Sequence, residues 1–187
     1  MHMADALLSP AVGAAMYAAS AGAIGWSSIR IRKDGLLERK IPVMAVTGAF
    51  VFAAQMINFT IPGTGSSGHI GGGILLAAVL GGFPALLTIA AVLLIQALFF
   101  ADGGLLALGC NLFNLGVIPC LVAYPLLFRP LIRTAASPLR IMVASVLAVV
   151  AGLQLGAFSV VLQTTASGIT VLPFGTFALL MQPIHLA

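Results

Sequence analysis

The stretch FPALLTIAAVLLIQALFF, residues 83–100, contains no charged residue, and its only polar side chains are Thr88 and Gln96. As an α-helix it would rise about 27 Å, close to the ~30 Å thickness of the hydrocarbon core of a bilayer. In hydrocarbon every backbone amide must find its hydrogen-bond partner inside the segment, and an α-helix meets that demand. The stretch predicts a transmembrane helix and an all-α fold class.

The composition extends this prediction to the whole chain of 187 residues. Hydrophobic residues make up 61% and charged residues 6%, and the mean hydropathy is +1.18, whereas a soluble domain carries about 25% charged residues. We therefore predict a single membrane domain over 1–187, a polytopic bundle of about six to seven helices. The predicted spans are 10–29, 42–59, 83–100, 111–128 and 139–163, with shorter apolar runs at 70–82 and 171–187.

The basic residues predict the topology. All eight Lys and Arg lie in two segments, 30–40 and 129–140. Because basic loops remain in the cytoplasm, both segments are inside if the run 70–82 crosses the membrane. The N-terminus is then extracytoplasmic, together with residues 60–69, 101–111 and 164–170. The net charge of +4 is thus a topology signal, and we expect no nucleic-acid partner.

The chain begins Met-His, and a free Met-His terminus is a metal chelator. The Met1 amine, the His2 amide nitrogen and the His2 ring, through Nδ1, would close one five-membered and one six-membered ring on a metal. A fourth nitrogen would complete a square, which favours Ni(II) or Cu(II), with Co(II) acceptable in a looser geometry. No basic residue precedes the first apolar run, so we expect no cleaved signal peptide.

His69 is the predicted fourth ligand, because it lies in a glycine-rich loop on the same predicted side as the N-terminus. Glycines allow close backbone approach, and irregular backbone at membrane depth must line protein or a cavity. The loop is therefore expected to dip into the bundle. Four residues are predicted to orient the ligands or neutralise the metal from a second layer: Asp5, Asn58, Ser66 and Ser67.

The remaining polar residues carry weaker predictions. His185 lies in a terminal apolar run, where one interhelical hydrogen bond would satisfy it, although an intramembrane ionisable residue is a candidate functional group. Asp102 is expected outside, capping a helix or attracting cations. Cys110 and Cys120 are ten residues apart, about 15 Å along a helix, which is too far for a disulfide.

Three segments resemble the CbiM/NikM family, the substrate-binding membrane component of nickel and cobalt energy-coupling-factor transporters. They are MHMADALLSP (1–10), AFVFAAQMINFTIPGTGSSGHIGGG (49–73) and LIQALFFADGGLLALGCNLFNLGVIP (94–119). The resemblance implies a helical bundle whose N-terminus plugs in from outside, with Met1, His2 and His69 holding Ni²⁺ or Co²⁺ as the transported substrate. It also implies a membrane coupling subunit, two cytoplasmic ATPase subunits and a small additional membrane subunit.

The resemblance also sets the expected role, location and extent of the chain. It implies high-affinity capture and ATP-driven uptake across a prokaryotic cell membrane, with hydrolysis on separate subunits, so the chain itself is not expected to be an enzyme. No organic cofactor is expected. Relative to the family, the chain is expected to lack the last C-terminal stretch.

Two other functions fit parts of the sequence. A rhomboid-like intramembrane serine protease would use Ser67 as nucleophile and His185 as base, since GSSG (65–68) matches Gly-x-Ser-Gly. The Trp-Arg signature of that family's first loop is missing. A passive channel for small solutes is the other alternative.

Overall fold

The computed structural model describes residues 2–33, 35, 37–133 and 137–186. About three quarters of this chain is helical, and the all-α membrane-protein class is confirmed. A 3₁₀ turn (Asp5–Leu7) precedes the helices and strands, which are α1 (Pro10–Lys33), α2 (Leu37–Gln55), β1 (Phe59–Ile61), β2 (Ser66–Gly68), α3 (Gly73–Leu80), α4 (Gly82–Phe99), α5 (Leu108–Leu112), a π-helical segment (Phe113–Phe128), α6 (Arg129–Ile132), α7 (Pro138–Ser167) and α8 (Phe174–Ile184).

Three helices in the described ranges are long and apolar enough to cross a membrane by length and composition. They are Gly82–Phe99, Leu108–Ile132 and Pro138–Ser167. The first coincides with the stretch that predicted the fold. The run 10–29 lies within α1 and the run 171–187 contains α8, but the total number of crossings stays a prediction.

The predicted span 42–59 ends earlier than expected, because α2 stops at Gln55 and the chain turns into a small hairpin. Strands β1 and β2 pair antiparallel, with Phe59 opposite Gly68. The turn between them contains Gly63 and Gly65, both at positive φ (75° and 63°), a conformation that glycine adopts without steric cost. A Cβ on Gly68 would overlap the Phe59 ring, so this glycine lets the ring close over the hairpin.

The centre of the bundle is the continuous helix Leu108–Ile132. Its π-helical part contains Pro119 and Pro125, and neither proline can donate a backbone hydrogen bond. It packs against α3, α4 and α7. Leu86, Ile89 and Leu115 are almost completely buried in the shared core, so this helix holds the other helices in place.

The described residues of the two predicted basic segments meet at one end of the bundle, which we call the basic end (residues 30–33, 35, 37–40, 129–133 and 137–140). Lys40 donates a hydrogen bond to the Leu80 carbonyl, at 3.1 Å, and with Arg129 and Trp26 it lines one cavity. Helices α2 and α4 lead away from this end to the hairpin and to the loop 100–107. The meeting of both basic segments at one end agrees with the predicted topology.

Candidate metal-binding site

Residues 2–5 form an extended plug that adds to the edge of the hairpin. The His2 carbonyl accepts two hydrogen bonds, from the Ser67 backbone N–H at 3.1 Å and the Ser66 hydroxyl at 3.0 Å. Met3 makes an antiparallel bridge with Ser66. The N-terminal plug (2–5) is thus held as a short third strand beside the loop that carries His69.

The loop 101–107 holds the other edge of the plug. The Met3 N–H donates to Asn111 Oδ1 at 2.9 Å, and the Gly104 N–H donates to the Met3 carbonyl at 3.0 Å. Asp5 Oδ1 accepts from the Ala107 N–H at 2.9 Å. A Cβ on Gly104 would overlap the Asp5 carboxylate, so only glycine allows this close approach.

The plug and the two loops bring two histidine rings together. The His2 and His69 rings stack with centroids 4.4 Å apart and planes inclined by 30°. His2 Nδ1 donates to Asp102 Oδ1 at 2.9 Å, and His69 Nδ1 donates to the Ile70 carbonyl at 2.8 Å. Because both partners are acceptors, each ring carries its proton on Nδ1 and a lone pair on Nε2.

Both Nε2 atoms are buried and have no hydrogen-bond partner in the part of the chain that the structure describes. A buried acceptor left unpaired costs about 1–3 kcal/mol. A histidine that binds a metal commonly donates its other N–H to a carboxylate or a carbonyl, as both rings do here. The pair therefore has the hydrogen bonding of metal ligands.

Asp102 places a negative charge beside this pair. Burial would raise the pKa of Asp102, but the hydrogen bonds from His2 and from Asn58 Nδ2 (3.0 Å) hold that pKa below 3.8. The preceding residue, Ala101, has a φ of 52°, a region that non-glycine residues rarely adopt. The backbone of the loop is therefore strained at Ala101, immediately before Asp102 presents its carboxylate.

The His69 ring is held in the neutral form that a metal requires. Burial lowers the pKa of His69 well below 6.5. Metal ligands must be deprotonated, so this ring is ready to bind at neutral pH. A cavity of 550 Å³, lined by His2, Asp5 and Asp102 among others, leads to the plug.

The structure places the predicted second-layer residues around the plug. Ser66 and Ser67 bind the His2 carbonyl, Asn58 binds Asp102, and Asp5 binds the loop 101–107. Met1, the predicted amine ligand, lies outside the described residues. The metal-ligand assignment of Met1, His2 and His69 stays a prediction.

Sequence reasoning missed two residues of the site. Asp102 was expected to cap a helix or attract cations, and it contacts the His2 ring directly. Asn111 was not among the predicted site residues, and it binds both backbone groups of Met3. The charge of Asp102 could have indicated its role in the site, because the chain has four acidic residues and Asp102 is one of two on the predicted outer side.

The family profile described as "CbiM: Cobalt uptake substrate-specific transmembrane region" matches residues 2–187. The chain belongs to the CbiM family. This confirms the resemblance inferred from the sequence, and it identifies the chain as a membrane component of the cobalt and nickel transport family. The curated relatives are metal transport proteins and not enzymes, so the serine-protease alternative built on Ser67 and His185 has no support from this family.

Relatives and solved structures agree with the family. A protein of Haloquadratum walsbyi named as a metal transport protein is 40% identical over 139 residues, 73% of this chain and 63% of that protein. A protein of Lactiplantibacillus plantarum named as a fused nickel transport protein is 32% identical over 184 residues, 94% of this chain and 55% of that protein. This chain thus covers less than two thirds of either relative.

Two crystal structures share the fold over the whole chain. A truncated transition metal transporter matches with a TM-score of 0.86 at 29% identity, covering 100% of this CbiM-family chain and 90% of that one. A transition metal transporter matches with a TM-score of 0.88 at 28% identity, covering 100% and 85%.

Proposed function

We propose that this chain captures Ni²⁺ or Co²⁺ at the plug and passes it inward as the substrate-specific component of an ATP-driven energy-coupling-factor transporter. The ligands are the Met1 amine, His2 and His69. The observation that carries the proposal is the stacked pair of buried imidazoles beside the carboxylate of Asp102, in which His69 Nε2 has no hydrogen-bond partner among the described residues. The names of the relatives and the similar crystal structures are those of metal transporters, which supports the proposal.

The proposed chelate uses His2 Nδ1, which in the structure is bonded to Asp102. A half-turn of the ring about the Cβ–Cγ bond moves Nε2 to the position that Cε1 held, which is next to the former position of Nδ1. After this turn, and with the ring proton on Nε2 instead of Nδ1, Nδ1 would bind the metal and Asp102 would accept from Nε2–H. Asp102 then keeps the ring oriented in both states, as carboxylates do for metal-binding histidines.

The donor set is suited to late first-row metals. Amine, amide and two imidazole nitrogens make a square that favours Ni²⁺, and Co²⁺ tolerates a fifth ligand. Both metals appear among the names of the relatives. Titration with each ion distinguishes these two metals.

The partners follow from the family. Its description as a substrate-specific region implies further transport subunits, and we propose a membrane coupling subunit, two cytoplasmic ATPases and a small additional membrane subunit. The chain would lie in the cell membrane of a prokaryote as a multi-pass protein. The apolar side chains exposed along α2, α4 and α7, such as Val46, Phe99 and Val146, suit contact with lipid and with these subunits.

Calorimetric titration of the purified, untagged chain with Ni²⁺ and with Co²⁺ tests the proposal. The chain should bind one ion, and His69→Gln should weaken binding by about 100-fold or more, because it removes a ligand and not merely a ligand's partner. Thr47→Ala is the matched control, since Thr47 bonds only within α2. Absence of binding by the unmodified chain would rule out the function.

A further inference from the structure

His185 has the same hydrogen-bonding pattern as the two site histidines. It follows the last residue of α8, is only 7% exposed, and donates from Nδ1 to the Met181 carbonyl at 2.7 Å. Its Nε2 is buried with no hydrogen-bond partner among the described residues. The Nδ1 bond alone would anchor the ring to its helix, so the buried Nε2 contributes no hydrogen bond to the packing of the described residues.

Helix packing connects His185 to the loop that carries His69. Gln154 Nε2, near the middle of α7, donates to the Gln182 carbonyl at 2.9 Å, one turn before His185. The neighbouring Leu153 contacts Gly71, where a Cβ would lie 3.0 Å from Leu153 Cδ2. Through Gln154 and Leu153, neighbouring residues of α7, the end of α8 is therefore linked to the loop that carries His69.

His185 does not complete the site in this conformation. Within the described residues, no three His, Cys, Asp or Glu side chains lie close enough together to hold one ion. A buried neutral imidazole with a free lone pair, close to a metal site but outside its ligand set, is suited to receive the ion after it leaves that site.

Building on the proposed function, we propose that His185 Nε2 is a transit ligand, the first group to bind Ni²⁺ or Co²⁺ when the ion leaves His69 towards the basic end. The step is a ligand exchange: the bond from the metal to His69 Nε2 breaks as the bond to His185 Nε2 forms. Neither the metal nor the protein changes oxidation state. Both rings are neutral, so no proton must be displaced.

A pair of substitutions separates this role from a structural one. In His185→Asn the amide nitrogen takes the place of Nδ1 and keeps the bond to Met181, but no ligand replaces Nε2. In His185→Gln the amide lies near the place of Nε2, where its oxygen can bind a metal weakly, and the bond to Met181 is lost. Each change is made in the source organism's own gene, and uptake of radioactive Ni²⁺ is measured beside Kd of the purified chain.

The transit role predicts that His185→Asn lowers uptake at least tenfold while Kd stays within threefold, and that His185→Gln retains more uptake than His185→Asn. The unchanged Kd also shows that the variant is folded. Normal uptake with His185→Asn would overturn the inference, as would His185→Gln being the more damaged variant. A tenfold change in Kd would also overturn it, since His185 would then belong to the resting site. Failure of the proposed function differs from all of these, because the unmodified chain would then not bind metal.

Discussion

The two ends of the bundle carry opposite charge. We call the plug (2–5), the hairpin and the loop 101–107 the histidine end; it presents the carboxylates of Asp5 and Asp102 beside the stacked rings of His2 and His69. The basic end presents Lys40 and Arg129 around an aromatic cavity. A divalent cation is attracted to the histidine end and repelled by the basic end. This difference in charge favours metal binding at the histidine end.

The two ends also differ in how they are built. At the histidine end, backbone groups of the plug are bonded on both sides, to the hairpin and to the loop 101–107. At the basic end, one long side chain, Lys40, reaches a helix terminus at Leu80. Backbone pairing fixes atoms far more closely than a flexible side chain does, which suits a site that must hold ligands in one geometry.

The largest effect is expected from His2→Ala, which removes both a ring ligand and the partner of Asp102. We expect Ni²⁺ affinity to fall by at least about 100-fold, since losing an outer partner alone costs about 10–100-fold. Calorimetry measures it, with Met3→Leu as a control that keeps the backbone bonds of the plug. An affinity within threefold of the unmodified chain would remove His2 from the site.

The next largest effect is expected from Gly104→Ala. The new methyl group would overlap the Asp5 carboxylate and push the plug out of the groove, so affinity should fall about tenfold or more, as for loss of an outer partner. Gly22→Ala is the matched control, because a Cβ there meets nothing within 4 Å. If both variants bind alike, the close packing of the plug is not needed for binding.

Asp102→Asn should weaken binding by about 10–100-fold, the range found for carboxylates that orient a ligating histidine. The amide can still accept from the His2 ring, but it has lost its negative charge. Asn58→Ala, which removes only the second hydrogen bond to Asp102, should weaken binding less. An Asn58→Ala variant that binds more weakly than Asp102→Asn would contradict this order.

A smaller effect concerns pH. The folded chain holds His69 neutral, whereas the unfolded chain takes up a proton as pH falls below 6.5. The unfolded state then binds more protons, so stability at the histidine end should fall as pH drops through 6.5. Histidine-selective NMR of the metal-free chain should show His69 titrating below 6.5, and a titration at or above 6.5 would contradict its burial.

The smallest effect is expected at the basic end. Lys40→Gln and Arg129→Gln should leave Ni²⁺ affinity within twofold, because exposed charges are screened beyond about 10 Å at 0.1 M salt. If these substitutions change the membrane orientation of the chain, as measured by protease accessibility, while Ni²⁺ affinity is unchanged, the two ends have separate roles. A large loss of affinity would mean that the two ends are not independent.

The helices could be predicted from the sequence because an apolar run of membrane length has one stable conformation in a bilayer, the α-helix. The stretch 83–100 became α4 with a one-residue shift, and the basic segments met at one end. The hairpin could not be predicted, since Phe59–Ile61 continues an apolar run and its pairing depends on the distant plug. Asp102 and Asn111 were missed for the same reason, because their partners lie about 100 residues away.

The most direct test of the central claim is to add one residue before Met1 and repeat the Ni²⁺ titration. The addition converts the Met1 amine into an amide and leaves every side chain in place. We predict that binding falls by at least about 100-fold, as for loss of any ligand, and that His69 keeps its low pKa. Unchanged affinity would show that the amine is not a ligand, and would contradict the account of the site as a chelate built on the N-terminus.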